Sequence, residues 1–177
     1  LELPSYTAEI VRAKAAEVQL ADPFHAFTDH TNRVLSWRLL LPLLGHFLHL
    51  PLWSYLALAH LGAVLALVFV AALTERHGLD GLTSLAITTL AATTSWYFVS
   101  MGWLGYFDSW FILGLLVVAF SPGSRLLAVA ALTVPWIDER FVIALPLAVL
   151  LRATYRATFQ PAVTSRSCWR DALFLAV

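Results

Sequence analysis

The fold class predicted by this sequence is all-α and polytopic transmembrane, with several short or broken membrane helices and an amphipathic surface helix at the N-terminus. Three observations predict it. The chain of 177 residues is 60% apolar and only 12% charged, with a mean hydropathy of +0.77; soluble domains carry about a quarter charged residues. One apolar stretch, Leu52 to Leu73, is long enough to cross a bilayer at about 1.5 Å per residue. Between Trp103 and Arg152 three further apolar runs follow one another. Each spans about 11 to 13 residues, short of the ~20 that an untilted crossing needs, so these helices must be extended, broken or shielded by protein.

The same numbers remove several classes of function. Eleven basic and eleven acidic residues cancel, leaving no field that would draw nucleic acid. Cys168 is the single cysteine, which excludes an internal disulfide and a cysteine metal site. The sequence holds no phosphate-binding glycine loop, nucleophile elbow or HExxH pattern. It opens on Leu1, without the apolar core of a signal peptide, and closes inside another apolar run, Ala172 to Val177. These ends are expected of part of a longer polytopic protein.

Along the chain, Thr7 to Leu20 is rich in helix formers, mixes Glu9, Arg12, Lys14 and Glu17 with Ile10, Val11 and Val18, and stops before Asp22-Pro23. A short amphipathic helix at the membrane surface is predicted. Next comes the densest set of ionisable groups, with Asp22, His25, Asp29, His30, Arg33 and Arg38 among aromatics. Leu39 to Pro51 is apolar but interrupted by Pro42 and Gly45, which reads as an interfacial or re-entrant helix. After the first full span, a second is predicted from Leu82 to Met101. Its Ser84, Thr88 and Ala92 at four-residue intervals let a neighbouring helix approach closely, so this span is expected to pack on protein and not on lipid. The three short runs fall at Asp108 to Phe120, Arg125 to Ile137 and Phe141 to Leu151. Three regions result: a surface segment over 1–51, a transmembrane bundle of about five embedded helices over 52–157, and a basic tail over 158–177 that leads into a further apolar segment.

Alternating sides along this path place Arg76, Arg125, Arg152, Arg156, Arg166 and Arg170 on one side, expected to be cytoplasmic. A plasma or inner membrane is the expected location. Trp37, Trp53, Trp96, Trp103, Trp110 and Trp136 fall near the opposite boundary, as an aromatic belt would, with Trp169 at the basic side. The outer face then collects Asp22, Asp29, Asp108, Asp138 and Glu139 with Arg33, Arg38 and Arg140.

Carboxylates at the edge of a membrane cavity are costly and are paired, hydrated or functional. In the functional reading an Asp serves as general base or holds a divalent cation, while Arg33 or Arg38 clamps a lipid-linked phosphate with its bidentate fork. In the structural one, Asp108 and Asp138 cap the helices that follow them and Arg140 forms an exposed ion pair. His46 and His49 lie three apart on the short helix, and His60 sits midway along the first span. A membrane histidine can ligate haem or a chlorophyll-type pigment, although a hydrogen bond from His60 to the threonines of the second span is the stronger expectation.

The charged outer segment running into RVLSWRLLLPLLG, a full span, GYFDSWFILGLLVVAF, a basic turn and then IDERFVIALPLAVLLR resembles the middle of GT-C-type polytopic glycosyltransferases, which take sugars from polyprenyl-phosphate donors. The likeness covers residues 22–157 and lies in layout and in short apolar helices more than in a strict motif. It implies a membrane glycosyltransferase in which Asp29 or Asp22 is the catalytic base of the first outer loop. Asp108 and Glu139 would border the same cavity and position a metal or the acceptor, and Arg33 and Arg38 would hold the donor phosphate. The alternative is a non-catalytic transmembrane subunit of a larger assembly, for example an energy-transducing or photosynthetic one, in contact with lipids, pigments or partner subunits.

Overall fold

The computed structural model describes residues 4–29, 32–102 and 106–159, and the regular secondary structure in them is all helical. His30, Trp103, Cys168, Trp169, Arg166 and Arg170 lie outside the described residues. The helices are α1 (Pro4–Ala21), α2 (Leu40–Phe47), α3 (Leu52–Arg76), α4 (Gly81–Ala92), α5 (Ser95–Gly102), α6 (Asp108–Phe120), α7 (Ser124–Thr133) and α8 (Arg140–Phe159). Short 3-10 turns at Arg33–Trp37 and Val134–Trp136 precede α2 and α8.

Side-chain contacts fix how these helices run. Tyr55 at the start of α3 stacks edge-on against Phe107 at the start of α6, and Asp108 at that same end pairs with Arg140 at the start of α8. At the other end, His77 just beyond α3 meets Tyr155 of α8, which also packs on Phe120 at the end of α6. Helices α3, α6 and α8 are therefore parallel, and the intervening helices return between them. Thr74 of α3 hydrogen-bonds Ser84 of α4, and Ser100 of α5 accepts from the Ser109 amide. The chain thus passes back and forth five times between a charged end and an end that carries Arg76, Arg125, Arg152 and Arg156.

Helices α3 and α8 are long and apolar enough to cross a membrane by length and composition; α4, α6 and α7, with its 3-10 extension, are apolar but shorter. The third run is longer than the 141–151 that the sequence predicts. Pro146 lies inside α8, and the helix continues through Arg152 and Arg156 to Phe159.

The predicted second span is two helices. At the break, the Thr93 and Thr94 hydroxyls donate to the carbonyls of Leu90 and Ala91, the local bonding by which threonine competes with the helical ladder. Nor is this segment covered by protein all round. Ser84 is buried against α3, but Leu82 is 78% exposed and Leu85 and Leu90 are exposed as well. The predicted 39–51 helix also ends early, because His49 adopts a left-handed backbone with φ 49°, so His46 and His49 share no helical face. His46 instead bonds the Leu20 carbonyl at the end of α1 through Nδ1.

Helix α1 does not bury its Ile and Val residues. Ile10, Val11 and Val18 are exposed, while Ala15, Ala16 and Gln19 face inward. Small side chains let α1 lie close to α2 and α3, and Gln19 Nε2 donates to the Leu35 carbonyl at 2.6 Å. Ala16, Leu41, Tyr55, Leu56, Ala59, Phe107 and Ile137 form one apolar cluster, so the N-terminal segment shares its core with the bundle. A second cluster joins α6, α7 and α8 around Val118, Leu127 and Phe141.

Helices α3 and α6 approach closely at Gly62. A Cβ there would lie 2.6 Å from Ser109 Oγ and 2.7 Å from the Trp110 ring. Those two side chains reach across to the Ala59 and Leu58 carbonyls at 2.7 Å each. Gly62→Ala is expected to push α6 away and to destabilise the protein by about 1–3 kcal/mol, read as a fall in Tm in detergent; Gly81→Ala, where nothing lies within 4 Å, serves as the control.

Candidate functional site

The charged end is built by the starts of α6 and α8 and by the turn before α2. Asp138 sits at its centre, 1% exposed. Its carboxylate accepts from the Arg140 backbone amide at 3.0 Å and from Arg140 Nε at 2.8 Å, and it pairs with Arg38 at 3.3 Å. Arg140 reaches on to Asp108, with which it makes a close ion pair. Arg38 in turn offers its fork to Glu139, Nε to Oε2 at 3.1 Å and Nη2 to Oε1 at 3.2 Å, across 101 residues of sequence. Three carboxylates and two guanidiniums form one continuous chain: Asp108, Arg140, Asp138, Arg38, Glu139.

Local sequence explains the arrangement. Asp138 precedes α8 by two residues, where a carboxylate both satisfies a free helical N–H and favours the positive end of the helix dipole. Asp108 is the first residue of α6, with Phe107 in the capping position, and its carboxylate accepts from Arg140. Burial opposes ionisation of Asp138. The Arg140 hydrogen bond and the Arg38 charge outweigh it, so the carboxyl titrates below its ordinary 3.8.

Of the residues proposed from sequence, Asp108, Glu139 and Arg38 meet in this cluster. Asp22, Asp29 and Arg33 do not. Asp22 accepts from the Phe24 amide, and Asp29 accepts from the backbone and side-chain nitrogens of Asn32; both carboxylates organise exposed turns. Arg33 is exposed on the 3-10 turn. Asp138 and Arg140, the hub of the network, were placed on this face by sequence as an helix cap and an exposed ion pair, and their central position comes only from the tertiary contacts. No group of three or more His, Cys, Asp or Glu side chains among the described residues is arranged to hold a metal ion. His60 makes no hydrogen bond to the threonines of α4; its Nδ1 is buried without a partner.

Below the charged end lies an apolar groove of about 470 Å3 between α2, α6 and α7. Leu41, Leu44, Trp110, Leu113, Val117 and Ile137 are among its walls. Its upper rim is contiguous with the cluster, since Ile137 immediately precedes Asp138 and Trp110 lies two residues after Asp108. The exposed Trp37 and Trp136 flank the same end.

No family model, curated protein or solved structure matches this chain.

The central carboxylate of the network and an outer one differ in burial, and their removal is expected to differ in effect. Asp138→Ala removes the buried carboxylate that Arg140 and Arg38 share and is expected to cost about 3–5 kcal/mol. Glu139, 44% exposed, is expected to cost about 0–1 kcal/mol when replaced by Ala. Thermal unfolding of the two variants in one detergent measures the gap. The depressed Asp138 pKa also sets a direction with pH: its contribution is complete above the ordinary 3.8 and is lost as pH falls through the lower folded value. Acid titration of Tm should therefore show a decline below about pH 4 that is diminished in Asp138→Asn.

Proposed function

We propose that this chain is an integral, polytopic membrane protein of GT-C-like organisation that transfers a sugar from a lipid-phosphate donor. The observation that supports this reading is the junction of the charged cluster with the apolar groove. A lipid-linked phosphate has the same two parts, an anionic head and an apolar tail, and a site for it needs a cationic fork directly above an apolar wall.

Arg38 supplies the fork. Its two parallel N–H groups now face the Glu139 carboxylate, a planar anion with the spacing of two phosphate oxygens. Glu139 is the exposed end of the network, so a donor phosphate exchanges with it at modest cost, while Asp138 stays behind to hold Arg38 in place. Asp108 opens α6 at the rim of the groove and is positioned by Arg140, which makes it the carboxylate best placed to accept the proton of an acceptor hydroxyl. In this scheme Asp22 and Asp29 organise the preceding turns, and the base is Asp108. A divalent cation would find its ligands in Asp108 and Glu139 only after their arginines had moved.

A second reading has its own support. Large apolar side chains are exposed along α3, α4 and α8, Ile143 to 81%, and the five charges already satisfy one another. A non-catalytic subunit that packs against partner polypeptides, lipids or pigments in a larger assembly has those properties too, with His60 as the candidate pigment ligand.

Transfer from a polyprenyl-phosphate sugar by membranes containing the protein separates the two. The transferase reading expects Asp108→Asn to lower transfer at least about 100-fold with insertion retained, and Asp29→Asn to leave it unchanged. Full activity in Asp108→Asn, or copurification with partner polypeptides and no transfer by the wild type, contradicts it.

A further inference from the structure

The walls of the apolar groove follow a helical pattern. On α6 they include Trp110, Leu113, Gly114 and Val117, and on α7 and its 3-10 extension Leu126, Val129, Thr133 and Ile137. Both sets recur at intervals of three or four residues, so each is one face of its helix. Helix α6 runs away from the charged end and α7 returns toward it, which makes the two stripes the sides of a trough that starts beside Asp108 and Asp138 and descends toward the basic turns. The polar side-chain atoms of Thr133 and Trp110 are already bonded, to the Val129 and Leu58 carbonyls. What suits such walls is hydrocarbon.

Length and volume agree on how much hydrocarbon the trough takes. Trp110 to Val117 spans about 10 Å and Leu126 to Ile137 about 16 Å, at about 1.5 Å per residue. An extended carbon chain advances about 1.3 Å per bond, given bonds of about 1.52 Å at tetrahedral angles, so about 8 to 13 chain atoms lie along the walls. Each isoprene unit adds four atoms to the length of a chain, which makes about two to three units. The volume of about 470 Å3 is room for about 15 groups of the size of a water molecule, the carbons of three such units. It does not hold the two acyl chains of a phospholipid. Near the charged end Leu40, Leu41 and Leu44 of α2 add a third wall. Helix α2 stays at that end, where its Gly45 lies against Tyr55 at the start of α3. Further down the trough has two walls, and Leu126 and Val129 are exposed there.

We infer that this groove measures tail length: it seats a single isoprenyl chain over the first three units from its phosphate, and a longer tail continues from the open lower part into the bilayer. Charge sets the direction of the chain, because Arg38 and Arg140 stand at the upper end only. The inference rests on the lipid-phosphate reading of the site and adds to it which part of the lipid is recognised. A tail that passes from bilayer to groove exchanges one apolar surrounding for another, so selection comes from close packing against the walls. It stops where the walls stop.

The test is displacement of a tritiated three-unit isoprenyl monophosphate from the protein in phosphatidylcholine nanodiscs, by unlabelled monophosphates of one, two, three, five and eleven units. Potency is expected to rise several-fold with each unit up to three and to stay level from three to eleven. Val129→Trp, which fills the lower trough, should bring the plateau down to two units. Leu147→Trp, at an exposed position of α8 outside the groove, should leave it at three. If Val129→Trp does not fold, the wild-type series decides alone. Equal potency at every length, a rise that continues to eleven units, an unmoved plateau in folded Val129→Trp, or displacement by dioleoyl phosphatidic acid as potent as by the three-unit phosphate overturns the inference and leaves the lipid-phosphate reading standing. Absence of any displaceable binding overturns both.

Discussion

Asp138 with its two arginines is the constraint on which the arrangement depends. A carboxylate that is almost fully buried is tolerable only if cations and donors surround it, and the donors here come from two distant parts of the chain. Arg140 belongs to the same helix start, but Arg38 comes from the turn before α2. By holding Arg38, Asp138 fixes the N-terminal segment over the start of α8; through Arg140 it fixes α8 to α6. The parallel course of α3, α6 and α8 follows, because their starts are gathered at one end and their C-terminal portions meet through Phe120, His77 and Tyr155.

At the opposite end an arginine meets backbone carbonyls. Arg152, buried in α8, donates from Nη1 to the Val118 and Ser121 carbonyls at 2.9 and 2.7 Å. Those carbonyls terminate α6 and would otherwise lack partners, and a cation there also suits the negative end of the helix dipole. One arginine thus does for the end of α6 what a capping residue does elsewhere, while tying two helices together. Between the two ends, contact is made by small residues. Gly62 and Gly114 each sit where a Cβ would collide with the facing helix or turn, so the short α6 can be enclosed even though its length, about 20 Å for its 13 residues, is less than that of α3.

Helical class and the long apolar α3 were legible in the sequence, because each depends on composition and run length. The break at Thr93-Thr94 was not, since a threonine-rich apolar run reads as one helix until the hydroxyls are seen turning back on the chain. His49 was misread for a related reason: left-handed backbone at a histidine leaves no mark in hydropathy. Within the candidate site, Asp108 and Glu139 were legible as acids at turns on one face, and Arg38 as a cation nearby. Asp22 and Asp29 carried the same signal yet serve local turns, and no count of charges separates a carboxylate bonded to its own neighbours from one bonded across 101 residues.

The central claim is that side chains remote in sequence form one ionic network at a single end of the bundle, and a double-mutant cycle on Asp108 and Arg140 tests it most directly. Unfolding free energies of Asp108→Asn, Arg140→Gln and the double variant, measured in one detergent, should show the two changes coupled by about 0.5–3 kcal/mol. Additivity within about 0.3–0.5 kcal/mol would mean that the two side chains do not meet, and the common end of α6 and α8 would be contradicted.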